Sequence, residues 1–169
     1  MNESDISKAI NTIAVEIIAN NKDIKKVAII GILQRGGPLA ERIAAVIEQK
    51  EKVKVKVGTI DVSFYRDDLS VRGNKIVPKK SNIMFSIENK TVILVDDVLY
   101  KGRTTRAALD SLNDYGRAAK IELAVLVDRG GRELPVQPDY CGKKVSLTSS
   151  EDVLVHLTEC DKEDKVIIK

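Results

Sequence analysis

The fold of this chain is decided by residues 92–104, which have the sequence VILVDDVLYKGRT. The first four are apolar and mostly β-branched, which is typical of a strand buried on both faces. Two carboxylates, Asp96 and Asp97, follow, and a short turn then leads into a segment predicted to be a helix. We expect this turn to bind phosphate, because a helix N-terminus presents unpaired backbone N–H groups and a partial positive charge. Gly102 lets the backbone approach a ligand closely, and Thr104 can supply a hydroxyl group and cap the helix.

The two carboxylates indicate which kind of phosphate compound would bind. Carboxylates repel phosphate, but they accept hydrogen bonds from sugar hydroxyls and reach magnesium through water. The pattern therefore favours a phosphorylated sugar. In the alternative interpretation, Asp96 and Asp97 are solvated residues at a strand end and Gly102 only shapes a turn. The sequence contains neither the G-x-x-x-x-G-K-[ST] nor the G-x-G-x-x-G motif of other phosphate sites.

Strand and helix patterns alternate along the rest of the chain and predict an α/β fold. We expect a doubly wound, mostly parallel sheet flanked by helices, in a single domain that spans residues 1–169. The predicted strands are 27–30, 52–57, 91–95, 121–127, 153–157 and 166–168, and the predicted helices start near Ser4 or Asp5, at Pro38 and near Thr104, the last ending near Tyr115. Residues 65–86 lack sustained periodicity, which predicts a disordered loop or a functional lid.

A second candidate anion site follows the first predicted strand. Ligands of doubly wound sheets bind beyond the carboxyl ends of the strands, and here residues 33–38 have the sequence LQRGGP. The glycines allow close backbone approach, a helix is predicted to follow, and Arg35 supplies a positive charge. Taken alone, the segment is better explained as an ordinary turn that enters a helix.

Composition and charge limit the classes of function. A net charge of +3 over 169 residues is mild, so RNA binding would require basic residues gathered in one patch. Two cysteines and one histidine make neither a disulfide framework nor a recognisable zinc site. The first residues are polar, and no apolar run approaches the roughly 20 residues that span a membrane. We expect a cytoplasmic protein without a membrane partner.

Residues 92–104 resemble the signature with which type I phosphoribosyltransferases bind 5-phosphoribosyl-1-pyrophosphate (PRPP). That signature is a hydrophobic strand, two acidic residues and a Thr-Gly-x-Thr-like loop, and residues 33–38 resemble the pyrophosphate loop of the same superfamily. The resemblance implies the type I phosphoribosyltransferase fold, with a small C-terminal cap, the hood, at about 129–169 and a flexible lid at about 66–88. It also implies that magnesium arrives with PRPP, near Asp96 and Asp97, and that no organic cofactor is needed.

The same resemblance implies a role for individual residues. Asp96 and Asp97 would bind the ribose hydroxyls, and together with Arg35 they are the catalytic residues that the resemblance implies. Gln34 and Arg35 would contact the pyrophosphate, with Gly36 permitting the backbone geometry. The loop Tyr100, Lys101, Gly102, Arg103 and Thr104 would bind the 5-phosphate, and Val98 and Leu99 before it would also belong to the PRPP and nucleotide site.

Three further stretches narrow the resemblance. The chain has DVSFYRDDLS at 61–70, VDDVLY at 95–100 and VLVDRGGRELP at 125–135. Together they are similar to PyrR, the family of bacterial pyrimidine operon attenuation regulators that are also uracil phosphoribosyltransferases. This likeness implies that uracil and PRPP give UMP and pyrophosphate, that UMP and UTP bind, and that pyrimidine operon leader mRNA is bound when UMP is present. It further implies that Arg129 and Val153 line the base and nucleotide pocket, that Arg66 lies at the root of the lid, and that the chain forms a homodimer or a larger homo-oligomer.

Two residues depart from the family pattern. Lys101 occupies a position where the phosphate loop usually has threonine, and Gly131 replaces the histidine of an Arg-Gly-His-Arg-Glu-Leu run. Two alternatives therefore stay open: a nucleotide-sensing, RNA-binding regulator with little or no catalysis, and a phosphoribosyltransferase for another base. The candidate RNA-binding residues are Arg132 and Lys143, with Lys25, Lys26 and Lys144 as further basic residues.

Overall fold

The computed structural model describes residues 1–63 and 81–169. The helices are α1 (Glu3–Asn20), α2 (Gly36–Glu51), α3 (Arg103–Leu112) and α4 (Thr158–Asp161), with short 3₁₀ turns at Ile24–Lys26 and Asn113–Tyr115. The strands are β1 (Val27–Ile32), β2 (Lys56–Ile60), β3 (Thr91–Leu99), β4 (Lys120–Asp128), β5 (Tyr140–Lys144), β6 (Val153–His156) and β7 (Lys165–Ile168).

Strands β1 to β5 form one parallel sheet in the order β2-β1-β3-β4-β5. This confirms the predicted doubly wound parallel sheet. The chain order reverses between β1 and β3, because β2 lies on one side of β1 and the later strands lie on the other. Such a reversal opens a crevice at the carboxyl ends of the two central strands, and ligands of doubly wound folds bind there.

Helices cover both faces of this sheet. Every residue of β1 is buried, and its side chains alternate between two hydrophobic clusters. Ile29 belongs to the cluster that contains the apolar faces of α1 and α2, whereas Ile30 belongs to the cluster that contains Ala107 and Leu112 of α3. Burial of each such isoleucine contributes roughly 1.5–3 kcal/mol, so the layers are fixed mainly by these apolar contacts.

The helix starts differ from the predicted ones by a few residues. Asn2 is the N-cap of α1, and its side chain and that of Asp5 each accept a hydrogen bond from the other residue's backbone N–H, at 3.0 and 3.1 Å. Pro38 is the third residue of α2 and does not open it. Gly102, with φ at 91°, is the N-cap of α3, so the prediction that Thr104 caps this helix was wrong. The turn into α3 needs a positive φ, which glycine adopts more readily than threonine.

Two strand predictions also need correction. The strand predicted at 52–57 begins only at Lys56, because Lys52 takes a left-handed conformation and ends α2, and Val55 is buried before the strand starts. Strand β3 continues four residues beyond Val95 to Leu99, because its end is paired with β4, where Leu99 lies opposite Asp128. The acidic pair therefore belongs to a strand.

The C-terminal hood is an antiparallel pair, β6 and β7, joined through α4. Arg42 of α2 anchors it, donating hydrogen bonds of 2.7 and 2.8 Å to Glu159 and one of 2.9 Å to Asp164. Residues 64–80, which include Arg66 and much of the predicted lid at about 66–88, lie outside the described residues. The following residues contact the sheet, because Asn82 pairs with Thr59 and Ile87 is buried. No helix in the described ranges has both the length and the apolar character needed to cross a membrane.

Candidate functional site

The start of α2 packs directly against the carboxyl ends of β1 and β3. A Cβ atom on Gly36 would lie 2.4 Å from the carbonyl oxygen of Val95, and a Cβ atom on Gly31 would lie 2.2 Å from the carbonyl oxygen of Gly36. Both distances are shorter than any tolerable contact, so only glycine fits at these two positions. Because Gly31 lies opposite Val95 in the sheet, the loop that ends at Gly36 is adjacent to the acidic pair that follows Val95.

The acidic pair is held by its own backbone. Asp96 is 7% exposed, and its Oδ1 accepts a hydrogen bond of 2.9 Å from the Asp97 N–H. Asp97 is half-buried, and its Oδ1 accepts one of 2.9 Å from the Val98 N–H. These short-range bonds fix both side chains at the switch point of the sheet, where a sugar would meet carboxylate oxygens in set positions.

The predicted phosphate loop, residues 100–104, is braced by the segment that follows β4. The N–H groups of Glu133 and Leu134 both donate to the carbonyl oxygen of Lys101, at 3.1 Å. The guanidinium of Arg132 donates to the carbonyl oxygen of Tyr100 at 3.0 Å. The bend at Gly102 then starts α3, and the first turn of a helix has N–H groups without intrahelical partners that can bind an anion.

One glutamate pairs with both cationic side chains of this loop. Glu133 pairs with Lys101 at 2.6 Å and with Arg103 at 2.7 Å. The hydrogen bonds from Lys101 and Arg103 lower the pKa of Glu133, and the bond to Glu133 raises the pKa of Lys101. The Lys101 ammonium is thus engaged by a carboxylate, and the predicted phosphate contacts of the loop would fall to its backbone N–H groups.

Arg129 and Tyr100 join the phosphate loop to the hood. The Arg129 guanidinium lies 3.7 Å from the centre of the Tyr100 ring and pairs with Asp152 at 2.6 Å. Arg129 is 5% exposed, and its Nε has no hydrogen-bond partner among the residues that the structure describes. On the ring's edge, a Cβ atom added to Gly131 would lie 2.6 Å from Tyr100 Cε2. The absence of a side chain at residue 131 therefore allows the ring to occupy this position.

The predicted pyrophosphate loop faces the hood. Arg35 donates two hydrogen bonds to Asp161 of α4, from Nε at 3.0 Å and from Nη2 at 2.8 Å. The hydrogen bond to Asp161 raises the pKa of Arg35, and the negative charge of Asp97 raises it further. The same hydrogen bond lowers the pKa of Asp161. Gln34, beside it, is exposed. Arg35 thus lies between the acidic pair of the sheet and a carboxylate of the hood.

Val153 is half-buried on β6. It faces a cavity of about 60 Å³ between the hood and the ends of β4 and β5. The other residues that line this cavity are Met1, Val127, Lys143, Val145, Val166 and Ile168. The lining is apolar except for Lys143, so the space suits an uncharged group more than a phosphate.

The candidate RNA-binding residues differ in accessibility. Lys143, Lys144, Lys25 and Lys26 are exposed. The side chain of Arg132 is only 13% exposed, and its guanidinium pairs with Asp128 at 2.7 Å. Besides the carbonyl oxygen of Tyr100, it donates to three other backbone carbonyl oxygens of the protein. Arg132 therefore has a structural role inside the fold, and its role in RNA binding stays a prediction.

Three acidic residues of the site were missed by sequence reasoning. Each of them pairs with a predicted site residue or its neighbour in the loop. Asp161 pairs with Arg35, Glu133 pairs with Lys101 and Arg103, and Asp152 pairs with Arg129. Asp161 is 126 residues from Arg35, and nothing in the local sequence signals the pairing. For Glu133, the signal available was its place in the VLVDRGGRELP stretch that carries the family likeness.

Comparison with known proteins identifies the family. Residues 2–161 match the phosphoribosyl transferase domain family. The bifunctional protein PyrR of a Roseiflexus species is 51% identical over 161 residues, which cover 95% of this chain and 88% of the relative. The bifunctional protein PyrR of Clostridioides difficile is 50% identical over 169 residues, which cover 100% of this chain and 96% of the relative. The chain belongs to the PyrR family of phosphoribosyltransferases.

Solved structures confirm the fold of this PyrR family member. A purine phosphoribosyltransferase from Pyrococcus horikoshii superposes with a TM-score of 0.65 at 25% identity, covering 86% of this chain and 85% of the other. A hypoxanthine phosphoribosyltransferase from Staphylococcus aureus superposes with a TM-score of 0.67 at 23% identity, covering 85% of this chain and 74% of the other. The predicted type I phosphoribosyltransferase fold is therefore confirmed, as is the resemblance to PyrR.

Proposed function

We propose that this protein transfers the phosphoribosyl group of PRPP to uracil, giving UMP and pyrophosphate, and that it regulates pyrimidine operons by binding their leader mRNA when UMP is present. The observation that supports the enzymatic part is that two loops adjoin one acidic pair: the loop that ends at Gly36 packs on Val95, and the loop 100–104 follows the same strand. PRPP has a phosphate at one end of its ribose and a pyrophosphate at the other. It therefore needs two anion sites separated by acceptors for the ribose hydroxyls.

Each group of the substrate has a counterpart in this arrangement. Asp96 and Asp97, fixed by backbone hydrogen bonds, accept the ribose hydroxyls. The N–H groups at the start of α3 bind the 5-phosphate, and Gln34, Arg35 and the start of α2 bind the pyrophosphate. The transition state resembles an oxocarbenium ion, so catalysis requires orientation of the ribose, stabilisation of the leaving pyrophosphate and exclusion of water. None of these tasks needs a nucleophile from the protein.

The base would lie between the sheet and the hood. Arg129 follows β4 and contacts both Tyr100 of the phosphate loop and Asp152 of the hood, so it connects the two ends of a bound nucleotide. Val153, on β6, borders the cavity under the hood. We assign the base and nucleotide contacts to these two residues, and we propose that residues 1–169 form a single domain in which the hood comprises β6, α4 and β7.

Magnesium, when bound with PRPP, would neutralise the charge of the leaving pyrophosphate. In residues 1–63 and 81–169, no group of three His, Cys, Asp or Glu side chains is placed to hold a metal ion by itself. Asp96 and Asp97 provide oxygen atoms near the proposed pyrophosphate site, and magnesium is commonly bound by one or two carboxylates together with substrate phosphates. The donor set therefore fits an ion that the substrate brings.

The enzymatic proposal is tested by incubating the protein with PRPP, magnesium and one nucleobase at a time, and by measuring pyrophosphate release. We expect turnover with uracil and none with hypoxanthine, guanine or orotate. Asp97→Asn should lower kcat/KM at least about 100-fold, since it weakens a contact that orients the ribose. Asp110→Asn, on the exposed face of α3, is the matched control and should leave the rate unchanged. Tight UMP binding without uracil turnover would replace the enzyme by a nucleotide sensor, and turnover with another base would overturn the choice of uracil.

The regulatory proposal is tested by RNA binding. Affinity for a pyrimidine operon leader should rise with UMP and exceed the affinity for scrambled RNA of the same length. Equal binding of both RNAs that weakens steeply with salt would mean non-specific attraction to phosphate and would refute the regulatory part. The resemblance also supports a homodimer or larger homo-oligomer, which light scattering after size-exclusion chromatography measures.

A further inference from the structure

The contact between Arg35 and Asp161 has the geometry of anion recognition. Arg35 presents Nε and Nη2 to the two carboxylate oxygens of Asp161, at 3.0 and 2.8 Å. Arginine uses the same planar pair of donors for carboxylates and for phosphates. The side chain of Arg35 is 33% exposed, so solvent reaches part of it.

Asp161 is part of the hood and is held there independently of Arg35. Its Oδ2 accepts a second hydrogen bond, of 3.0 Å, from the Leu157 N–H. The carboxylate is therefore fixed at the edge of the loop that the proposed function assigns to pyrophosphate. An anion arriving at Arg35 meets a negative charge that already occupies its donors.

The hood does not depend on this contact to dock onto α2. Arg42, two turns further along the same helix, makes two hydrogen bonds to Glu159 and further ones to Asp164. The side chain of Asp164 is 7% exposed, so this second contact is the more buried one. Arg42 can anchor the hood while Arg35 changes its partner.

We propose that Asp161 is an intramolecular counter-ion of Arg35 that pyrophosphate displaces, so that pyrophosphate and the hood compete for one arginine. This inference rests on the assignment of Arg35 to the pyrophosphate site. It makes Asp161 a positioning residue: it orients Arg35 when the site is empty and weakens the retention of pyrophosphate after transfer. Product release is thereby aided by a carboxylate that returns to the arginine.

The test measures pyrophosphate binding without magnesium by titration calorimetry, so that no metal ion bridges the anion to a carboxylate. Asp161→Asn should tighten binding roughly three- to tenfold, since one negative charge is removed beside a half-exposed anion site. Glu159→Gln is the matched control, because Glu159 lies on α4 as Asp161 does but pairs with Arg42. It should alter the affinity for pyrophosphate less than twofold. Asp161→Glu keeps the charge and should bind pyrophosphate no more than about twofold more tightly than the wild type.

Circular dichroism spectra establish that each variant is folded before titration. Tighter binding by Asp161→Asn alone supports the proposal. Equal or weaker binding by Asp161→Asn than by Glu159→Gln overturns it, because the carboxylate would then not compete with pyrophosphate. Uracil turnover by the wild type is measured on the same preparation, so failure of the proposed function is recognised separately from failure of this inference.

Discussion

Gly130 and Gly131 have nearly the same backbone conformation but different surroundings. Their φ angles are 71° and 70°. A Cβ atom on Gly130 would meet nothing within 4 Å, whereas one on Gly131 would lie 2.6 Å from Cε2 of Tyr100. Substituting each by alanine in turn therefore separates the cost of the backbone conformation from the cost of displacing the ring.

The two costs can be estimated from this geometry. A left-handed alanine costs roughly 1–2 kcal/mol, offset by about 0.4–1 kcal/mol of lost freedom in the unfolded chain, so Gly130→Ala should lower the free energy of unfolding by roughly 1 kcal/mol. Gly131→Ala carries the same backbone cost and also forces the Tyr100 ring to move, since carbon atoms pack at about 3.5–4 Å. The ring is stacked on the buried Arg129, which pairs with Asp152, so this movement should cost a further 1–3 kcal/mol, approximately.

Urea unfolding followed by far-ultraviolet circular dichroism measures both values, and the chain has no tryptophan that would report by fluorescence. The same pair of substitutions is then made in a Tyr100→Ala background. There the difference between Gly131→Ala and Gly130→Ala should vanish, because the ring that clashes is gone. The Michaelis constant for PRPP should rise for Gly131→Ala and stay constant for Gly130→Ala, since Tyr100 belongs to the proposed phosphate loop.

Two results would refute this reasoning. Equal losses of unfolding free energy for the two alanine variants would show that the ring yields without cost. A difference that persists in the Tyr100→Ala background would show that something other than the ring disfavours a side chain at Gly131. In either case the packing of Tyr100 would not explain why this chain has Gly131 where the family pattern has histidine.

Two further predictions concern stability. Tyr140→Phe removes a 2.7 Å hydrogen bond to the buried carboxylate of Glu122 and should lower the free energy of unfolding, measured in urea, by about 1–3 kcal/mol. The control is Tyr115→Phe, which should change it by less than about 0.5 kcal/mol, because the Tyr115 hydroxyl has no hydrogen bond within residues 1–63 and 81–169. Equal effects of the two substitutions would show that the hydrogen bond to Glu122 does not stabilise the fold. The hydrogen bond from Arg42 lowers the pKa of Asp164 in the folded protein. The ionised carboxylate therefore stabilises the fold at pH values above about 4, the pKa of Asp164 in the unfolded chain. This stabilisation is lost as the pH falls through the lowered pKa of the folded protein. Asp164→Asn should therefore lose less unfolding free energy than the wild type between about pH 5 and 2, and parallel curves of circular dichroism against pH would contradict this.

Much of the proposed site was predictable because its signals are local. The apolar run before Asp96 and the glycine turn after it indicated a buried strand that enters a helix, and β3 and α3 confirm this. The ends of elements were less predictable. Pairing with β4 carries β3 on to Leu99, and the alternating valines after Lys52 resembled a strand, although the chain there is still leaving α2. Pairing and burial depend on neighbouring segments, and hydrophobic periodicity does not encode them.

The sequence by itself therefore determined the parallel sheet, the acidic pair with its phosphate loop, and the family to which both belong. These follow from short-range patterns of apolar, glycine and charged residues that need no knowledge of distant partners. Only the tertiary structure decided which carboxylate each arginine meets: Asp161 for Arg35 and Asp152 for Arg129. Such pairs form because the hood folds back onto the sheet and α2, and the many acidic residues of the chain give no local sign of which one will arrive there.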